Sequence, residues 1–137
     1  MGRRYLEPHE VEVTHLGPKG VGVGQASDGK PIHIRAGAPG SRVRVQPFGR
    51  KRGVWKGRKL SLVRPPPEGV DPPCPAFGLC GGCVFQELPL ERQRDAKNRM
   101  ALSEVARGWG QDPDSVFEGV RVHPLRGAQE GLSLIHI

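Results

Sequence analysis

A chain of 137 residues with 36% hydrophobic residues and a net charge of +7 has room for one domain of ordinary size, or for a small domain and part of another. No run approaches the roughly 20 apolar residues of a membrane-spanning helix, and the charged start Met1-Gly2-Arg3-Arg4 leads into no apolar stretch of the kind a secretory signal needs. Three cysteines, an odd number, without an export signal argue for a reducing compartment, and the cytoplasm is the expected location.

The charge is unevenly spread. Residues 1–70 carry 14 Lys/Arg against 5 Asp/Glu, whereas residues 71–137 carry 7 against 9. A basic module of this kind suits a polyanion, and nucleic acid is the expected partner. A membrane surface suits it less, because no basic amphipathic helix is visible in the first half.

Residues 9–63 read as β structure. Val11 and Val13 alternate with Glu12 and Thr14, the pattern of a half-buried strand. Gly17-Pro18-Lys19-Gly20 is a turn, after which Val21-Gly22-Val23-Gly24 resumes the alternation. Ser27-Asp28-Gly29-Lys30 carries the Asp-Gly hairpin signal, and Pro31–Ile34 is a short strand. Ala38-Pro39-Gly40 turns the chain again, and Arg42–Gln46 places valines on one face and cations on the other. A loop over Gly49–Gly53 leads to a fifth strand, Val54–Val63. Five short strands with frequent turns predict a mainly β fold, a small five-stranded OB-like barrel of the kind that binds oligonucleotides on one strand face.

Pro65-Pro66-Pro67 and Pro72-Pro73 predict a stiff linker over 65–73. A cysteine loop over 74–86 follows, and residues 87–130 read as the start of a further, truncated central domain. Its first element is a helix over 88–108, with Pro89 in the first turn and Gly108 as the stop. Val116–Val122 reads as one more strand. The last seven residues, 131–137, close no element and stand as a candidate non-native tail.

The chain's only cysteines are Cys74, Cys80 and Cys83, in the run Cys-Pro-Ala-Phe-Gly-Leu-Cys-Gly-Gly-Cys. Thiols held this close suit a metal or a cluster. Gly81 and Gly82 let the backbone wrap near such a centre, with amides free to point at sulfur. Three readings stand side by side. One is a [4Fe–4S] cluster with three local thiolates and a distant fourth ligand. Another is zinc held by the three cysteines and His123, and the last is three unligated thiols. His15 and His33 read as strand residues rather than ligands.

Cys74-x5-Cys80-Gly-Gly-Cys83, followed by Gln86 and a charged helix, resembles the cluster motif of the RNA (uracil-C5)-methyltransferases. The preceding segment, residues 1–64, resembles an RNA-binding TRAM domain in the order of Gly20-Val21-Gly22, Ile32-His33-Ile34 and Ala38-Pro39-Gly40-Ser41-Arg42-Val43. The best match is the 23S ribosomal RNA subgroup that carries both. This resemblance, over residues 9–108, implies a [4Fe–4S] cluster on Cys74, Cys80 and Cys83, with the family's fourth cysteine beyond residue 137. It implies methylation of C5 of a uridine from S-adenosylmethionine, by a catalytic cysteine that adds to C6 of a flipped base and a general base that removes the C5 proton. None of that machinery is visible in this chain, so no catalytic residue and no S-adenosylmethionine contact is assigned, and the chain alone is expected to be inactive. The alternative is a stand-alone RNA-binding protein with a structural zinc site.

For RNA, Arg50, Lys51 and Arg52 with Lys56, Arg58 and Lys59 are the expected phosphate contacts, extended by Arg42 and Arg44 on one strand face. Phe48 and Trp55 bracket this basic stretch and are the candidates for stacking on unpaired bases. Arg92, Arg94, Lys97 and Arg99 read equally well as an RNA contact or as a solvated helix face. The expected state is a monomer with RNA, ribosomal by resemblance, as partner and no membrane.

Overall fold

A computed structural model describes residues 6–123. The chain divides between Pro89 and Leu90 into two compact units. In the first unit, β1 (His9–Glu12), β2 (His15–Leu16), β3 (Gly22–Gln25), β4 (Pro31–Ile34), β5 (Arg42–Lys51) and β6 (Val54–Arg64) form one sheet in the order β1-β5-β6-β4-β3-β2. β4 and β6 run parallel; the other neighbours are antiparallel.

The two edges of this sheet, β1 and β2, are a single stretch of chain bent at Val13-Thr14. Its first half ladders with β5, where Val11 faces Val43. Its second half ladders with β3, where His15 faces Val23. At the bend, the Val13 N–H donates to the Ser41 carbonyl at 2.9 Å and the Thr14 N–H to the Val23 carbonyl at 2.8 Å. One strand that changes partner midway curls the sheet on itself, which is how an OB-like barrel protects its edges. Counted as one, β1 and β2 leave the five strands expected, and the sixth arises because the bend interrupts the ladder.

That seam is tight. A Cβ on Gly24 would lie 2.3 Å from Val11 Cγ1 and 2.5 Å from the Glu12 carbonyl oxygen, so β3 can approach the bent strand only with glycine there.

Inside the barrel, Val11, Val13, Ala26, Ile32, Ile34, Val43, Val45 and Trp55 form the core. Alternation explains it, because each strand turns every second side chain inward. Trp55 closes one end and donates its indole N–H to Asp28 Oδ2 at 3.0 Å. That bond, more than any other influence, holds the Asp28 carboxyl below the usual carboxylate range. Burial opposes it, and the Lys30 amide and ammonium add to it.

The β5–β6 hairpin departs from expectation. Gly49 does not end its strand. β5 continues to Lys51, β6 begins at Val54, and the turn is only Arg52-Gly53, with φ of 50° and 83°. Positive φ at both central residues is the two-residue turn whose twist matches a hairpin. Three register shifts interrupt the long ladder. They leave Phe48, Leu60 and Val63 without a residue opposite, and all three side chains are exposed. A bulge re-aims a side chain, which is why these apolar residues face out although their neighbours alternate.

Residues 65–89 contain no helix or strand, yet they are not a free spacer. Pro66 is buried, the Gly69 N–H donates to its carbonyl at 2.9 Å, and the Val70 N–H donates to the Glu87 carbonyl at 3.1 Å. Phe85, Glu87 and Leu88 are buried.

In the second unit, α1 spans Leu90–Gly108, close to the expected helix, and α2 spans Pro113–Val116. The strand expected over Val116–Val122 is not formed. The Asp112 side chain accepts the Asp114 N–H and caps a helical turn that Pro113 starts, and Gly119, at φ 75°, turns the chain where an extended run would have continued. The candidate tail at 131–137 lies outside the described residues.

Candidate cysteine centre and nucleic-acid interface

The cysteine segment is built from turns. The Phe77 N–H donates to the Cys74 carbonyl at 3.1 Å, and the Leu79 and Cys80 N–H groups both donate to the Ala76 carbonyl, at 3.0 and 2.9 Å. Gly78 sits at φ 85°, a conformation that favours glycine. Gln86 Oε1 accepts the Cys74 N–H at 3.2 Å and ties the two ends of the loop together. The result is a shallow hollow, open to solvent, lined by Cys74, Cys80 and Cys83 with Ala76, Phe77, Gly78 and Gln86. All three thiols are free; Cys74 and Cys80 are exposed and Cys83 is partly so.

This donor set suits a soft metal or an iron–sulfur centre, since all three sulfur-bearing side chains border one hollow. It is not a closed chelate. Among the described residues no three His, Cys, Asp or Glu side chains stand close enough to hold an ion as they are. His123, the ligand considered for zinc, brings no such group together.

The expected RNA contacts separate into two sets. Arg42 and Arg44 are exposed on β5, alternating with the fully buried Val43 and Val45. Arg58 sits opposite Gln46 on β6, and Lys56 is likewise exposed, so these cations share the outer face of the hairpin. Arg50 and Lys51 end β5, and Arg52 stands in the turn. Arg42 and Arg64 both reach the Glu12 carboxylate, at 3.5 and 3.3 Å, in exposed pairs that water screens.

Two residues of the set do not face solvent. Trp55 is 5% exposed and its indole is engaged by Asp28, so it belongs to the core and has no free face for a base. The Arg50 guanidinium lies 5.9 Å from its ring centroid. Phe48, by contrast, is 57% exposed and open to stacking. Lys59 is also turned inward. Its ammonium pairs with Glu87 and donates to the Ala36 carbonyl at 3.1 Å, which removes it from the phosphate contacts. β6 alternates, and Lys59 falls in step with the buried Trp55 and Gly57, on the inner side that a simple count of charges does not register.

Glu87 is the participant that the sequence reading missed. Its signal was present: an acid between Phe85 and Leu88, both buried, is a carboxylate that needs a cation.

No model of a known protein family matches the chain. Individual relatives do. A 23S rRNA (uracil-C5)-methyltransferase of Alkalilimnicola ehrlichii is 36% identical over 135 residues, 96% of this chain and 29% of that protein. A second, from Xanthomonas oryzae, is 32% identical over 115 residues, 82% of this chain and 26% of that protein. The chain belongs to the RNA (uracil-C5)-methyltransferase family. A further relative in Caldanaerobacter subterraneus, described only as an RNA methyltransferase, is 38% identical over 92 residues, 67% of this chain and 20% of its own length. The chain thus spans less than a third of the relatives it matches. Among the described residues of this family member, no helix is long and apolar enough to cross a membrane.

Proposed function

We propose that this chain is the RNA-holding and cluster-holding part of an S-adenosylmethionine-dependent methyltransferase that modifies C5 of a uridine in ribosomal RNA, working in the cytoplasm as a monomer. The barrel, read as a TRAM domain, meets RNA through Arg42, Arg44, Arg50, Lys51, Arg52, Lys56 and Arg58, with Phe48 as a stacking platform. Cys74, Cys80 and Cys83 hold a [4Fe–4S] cluster whose fourth ligand is not among the chain's cysteines. When bound, the cluster supplies a rigid inorganic cross-link to a loop that has no core of its own. No residue here is given a catalytic role, and the methyl donor is assigned no contact.

The observation that carries this reading is the convergence of three thiols on one hollow in the same compact unit as a barrel with an open cationic face. Binding of a ribosomal RNA fragment, followed at rising salt, tests it. The chain is expected to bind with a dissociation constant on the order of 10⁻⁶ M that weakens steeply with salt, because each neutralised phosphate releases counterions. Reversing the charges of Arg50, Lys51 and Arg52 together is expected to reduce the salt slope by about two to three units. An isotherm and slope unchanged by that triple substitution remove the hairpin from the interface.

A further inference from the structure

We infer that Lys59 is a positioning residue through which the barrel anchors the cysteine loop, so that its three thiols border one hollow and can close on a metal. The inference rests on the reading that these thiols bind a metal centre, and it adds the device that sets their arrangement.

Lys59 lies on β6 beside the solvent-facing Arg58, yet its side chain is only 11% exposed. A lysine is seldom buried without specific partners, because its charge loses hydration that something must replace. Here the partners come from both sides of a junction. From the barrel, the Ala36 carbonyl accepts from Nζ at 3.1 Å. From the loop, the Glu87 carboxylate, 7% exposed, pairs with it, and the Phe77 ring lies with its centroid 5.8 Å from Nζ. Glu87 Oε2 is buried with no hydrogen-bond partner among the described residues, so compensation of that carboxylate falls on Lys59.

Both loop contacts lead directly to the hollow. Phe77 lines it. Glu87 follows Gln86, which also lines it and fastens the Cys74 amide. The Glu87 backbone in turn accepts the Val70 N–H. One ammonium therefore touches the loop at its middle and at its exit.

Two further observations point the same way. Ala36 has φ of 57°, left-handed for a residue with a side chain, and it is 2% exposed. Such a conformation persists where the surroundings over-determine it, typically at functional sites, and its carbonyl is the one that Lys59 holds. On the neighbouring residue, the Arg35 guanidinium carbon would lie 3.5 Å from a Cβ placed on Gly81, between Cys80 and Cys83. The barrel thus presents two cations to a loop that must carry thiolate charge once loaded.

Cobalt(II), titrated anaerobically into the reduced chain and followed by its thiolate-to-cobalt charge-transfer band, tests the inference. The wild type is expected to show the band. Lys59→Met is expected to weaken cobalt binding about tenfold or more, as the loss of an outer-shell partner does, and Lys59→Arg to restore most of it. The decisive variant is Lys59→Met/Glu87→Met. Replacing a buried ion pair with apolar side chains commonly leaves stability intact, so its thermal midpoint is expected near wild type while cobalt binding stays weak. Wild-type affinity in Lys59→Met, or in the double variant, overturns the positioning role and leaves the thiol site standing. Absence of any thiolate band in the wild type overturns the metal reading itself, and this inference with it.

Discussion

Barrel and cysteine loop lie in one compact unit but are ordered by different means. In the barrel, Val13, Ile32, Ile34, Val43 and Val45 have no exposed surface, and β3, β4, β5 and β6 are each laddered to two neighbours, with β1 and β2 as the edges. In the loop, Leu79 is 89% exposed, and the internal bonds are a few turn contacts around Cys74, Ala76 and Gly78. Apolar packing orders the first region, and turn contacts order the second. The loop takes its order from the barrel through one polar anchor, Lys59 to Glu87, and from its own bond between Gln86 and Cys74. A segment stabilised this way can open locally without unfolding the domain.

The contrast breaks or holds on paired truncations. Ile34→Ala removes a side chain from the fully packed interior and is expected to cost about 2–5 kcal/mol. Leu79→Ala, on the exposed loop, is expected to change stability by less than about 0.5 kcal/mol. Urea unfolding monitored by far-ultraviolet circular dichroism measures both, and comparable costs would show that the loop shares the core after all.

The closure of the barrel can be tested separately from its core. Gly24→Ala puts a methyl group against Val11 Cγ1 and the Glu12 carbonyl. Backbone lies on one side of that contact and cannot yield by a rotamer change, so overpacking is expected to cost about 1–3 kcal/mol. A full loss of cooperativity would mean that the seam between β3 and the bent strand organises the whole sheet. A neutral result would mean that the seam breathes freely.

Much of this contrast was legible in the residues. Alternating valines and isoleucines predicted the barrel strands because period two is strongly written at Val11–Val13, Ile32–Ile34 and Val43–Val45. The cysteine spacing identified the loop, and relatives 36% and 32% identical bear out the family that this spacing suggested. What escaped the reading depends on long-range geometry. The bend at Val13-Thr14 is invisible until β5 and β3 supply its two partners. The bulges at Phe48, Leu60 and Val63 turn three apolar side chains outward, and a count of cations on β6 does not show that Lys59, in step with the buried Trp55 and Gly57, finds its partners in the distant Ala36 and Glu87. Trp55 read as a surface ring for the same reason: its indole N–H finds Asp28, 27 residues away. The strand expected after Val116 failed on local chemistry, because the cap at Asp112 and the turn at Gly119 override the strand preference of Val116, Val120 and Val122.

The smallest effect sharpens the barrel's side of the comparison by asking whether Trp55 belongs to the core through its hydrogen bond as well as its packing. The Asp28 carboxyl lies below its usual value chiefly because the indole N–H donates to its ionised form. A carboxylate depressed on folding adds stability that is fully present above its unfolded value, about 3.9, and lost as pH falls through the lower folded value. Trp55 fluorescence, read in a Trp109→Phe background so that one indole reports, is therefore expected to hold steady from neutral pH to about 4 and to change only below that. Asp28→Asn removes the ionisation and is expected to erase the acid transition while leaving the Trp55 emission buried in character. A transition centred at or above the ordinary carboxylate value would show that the indole bond does not select the charged form. Trp55 would then be held in the barrel by apolar contact with Ile32 and its neighbours alone.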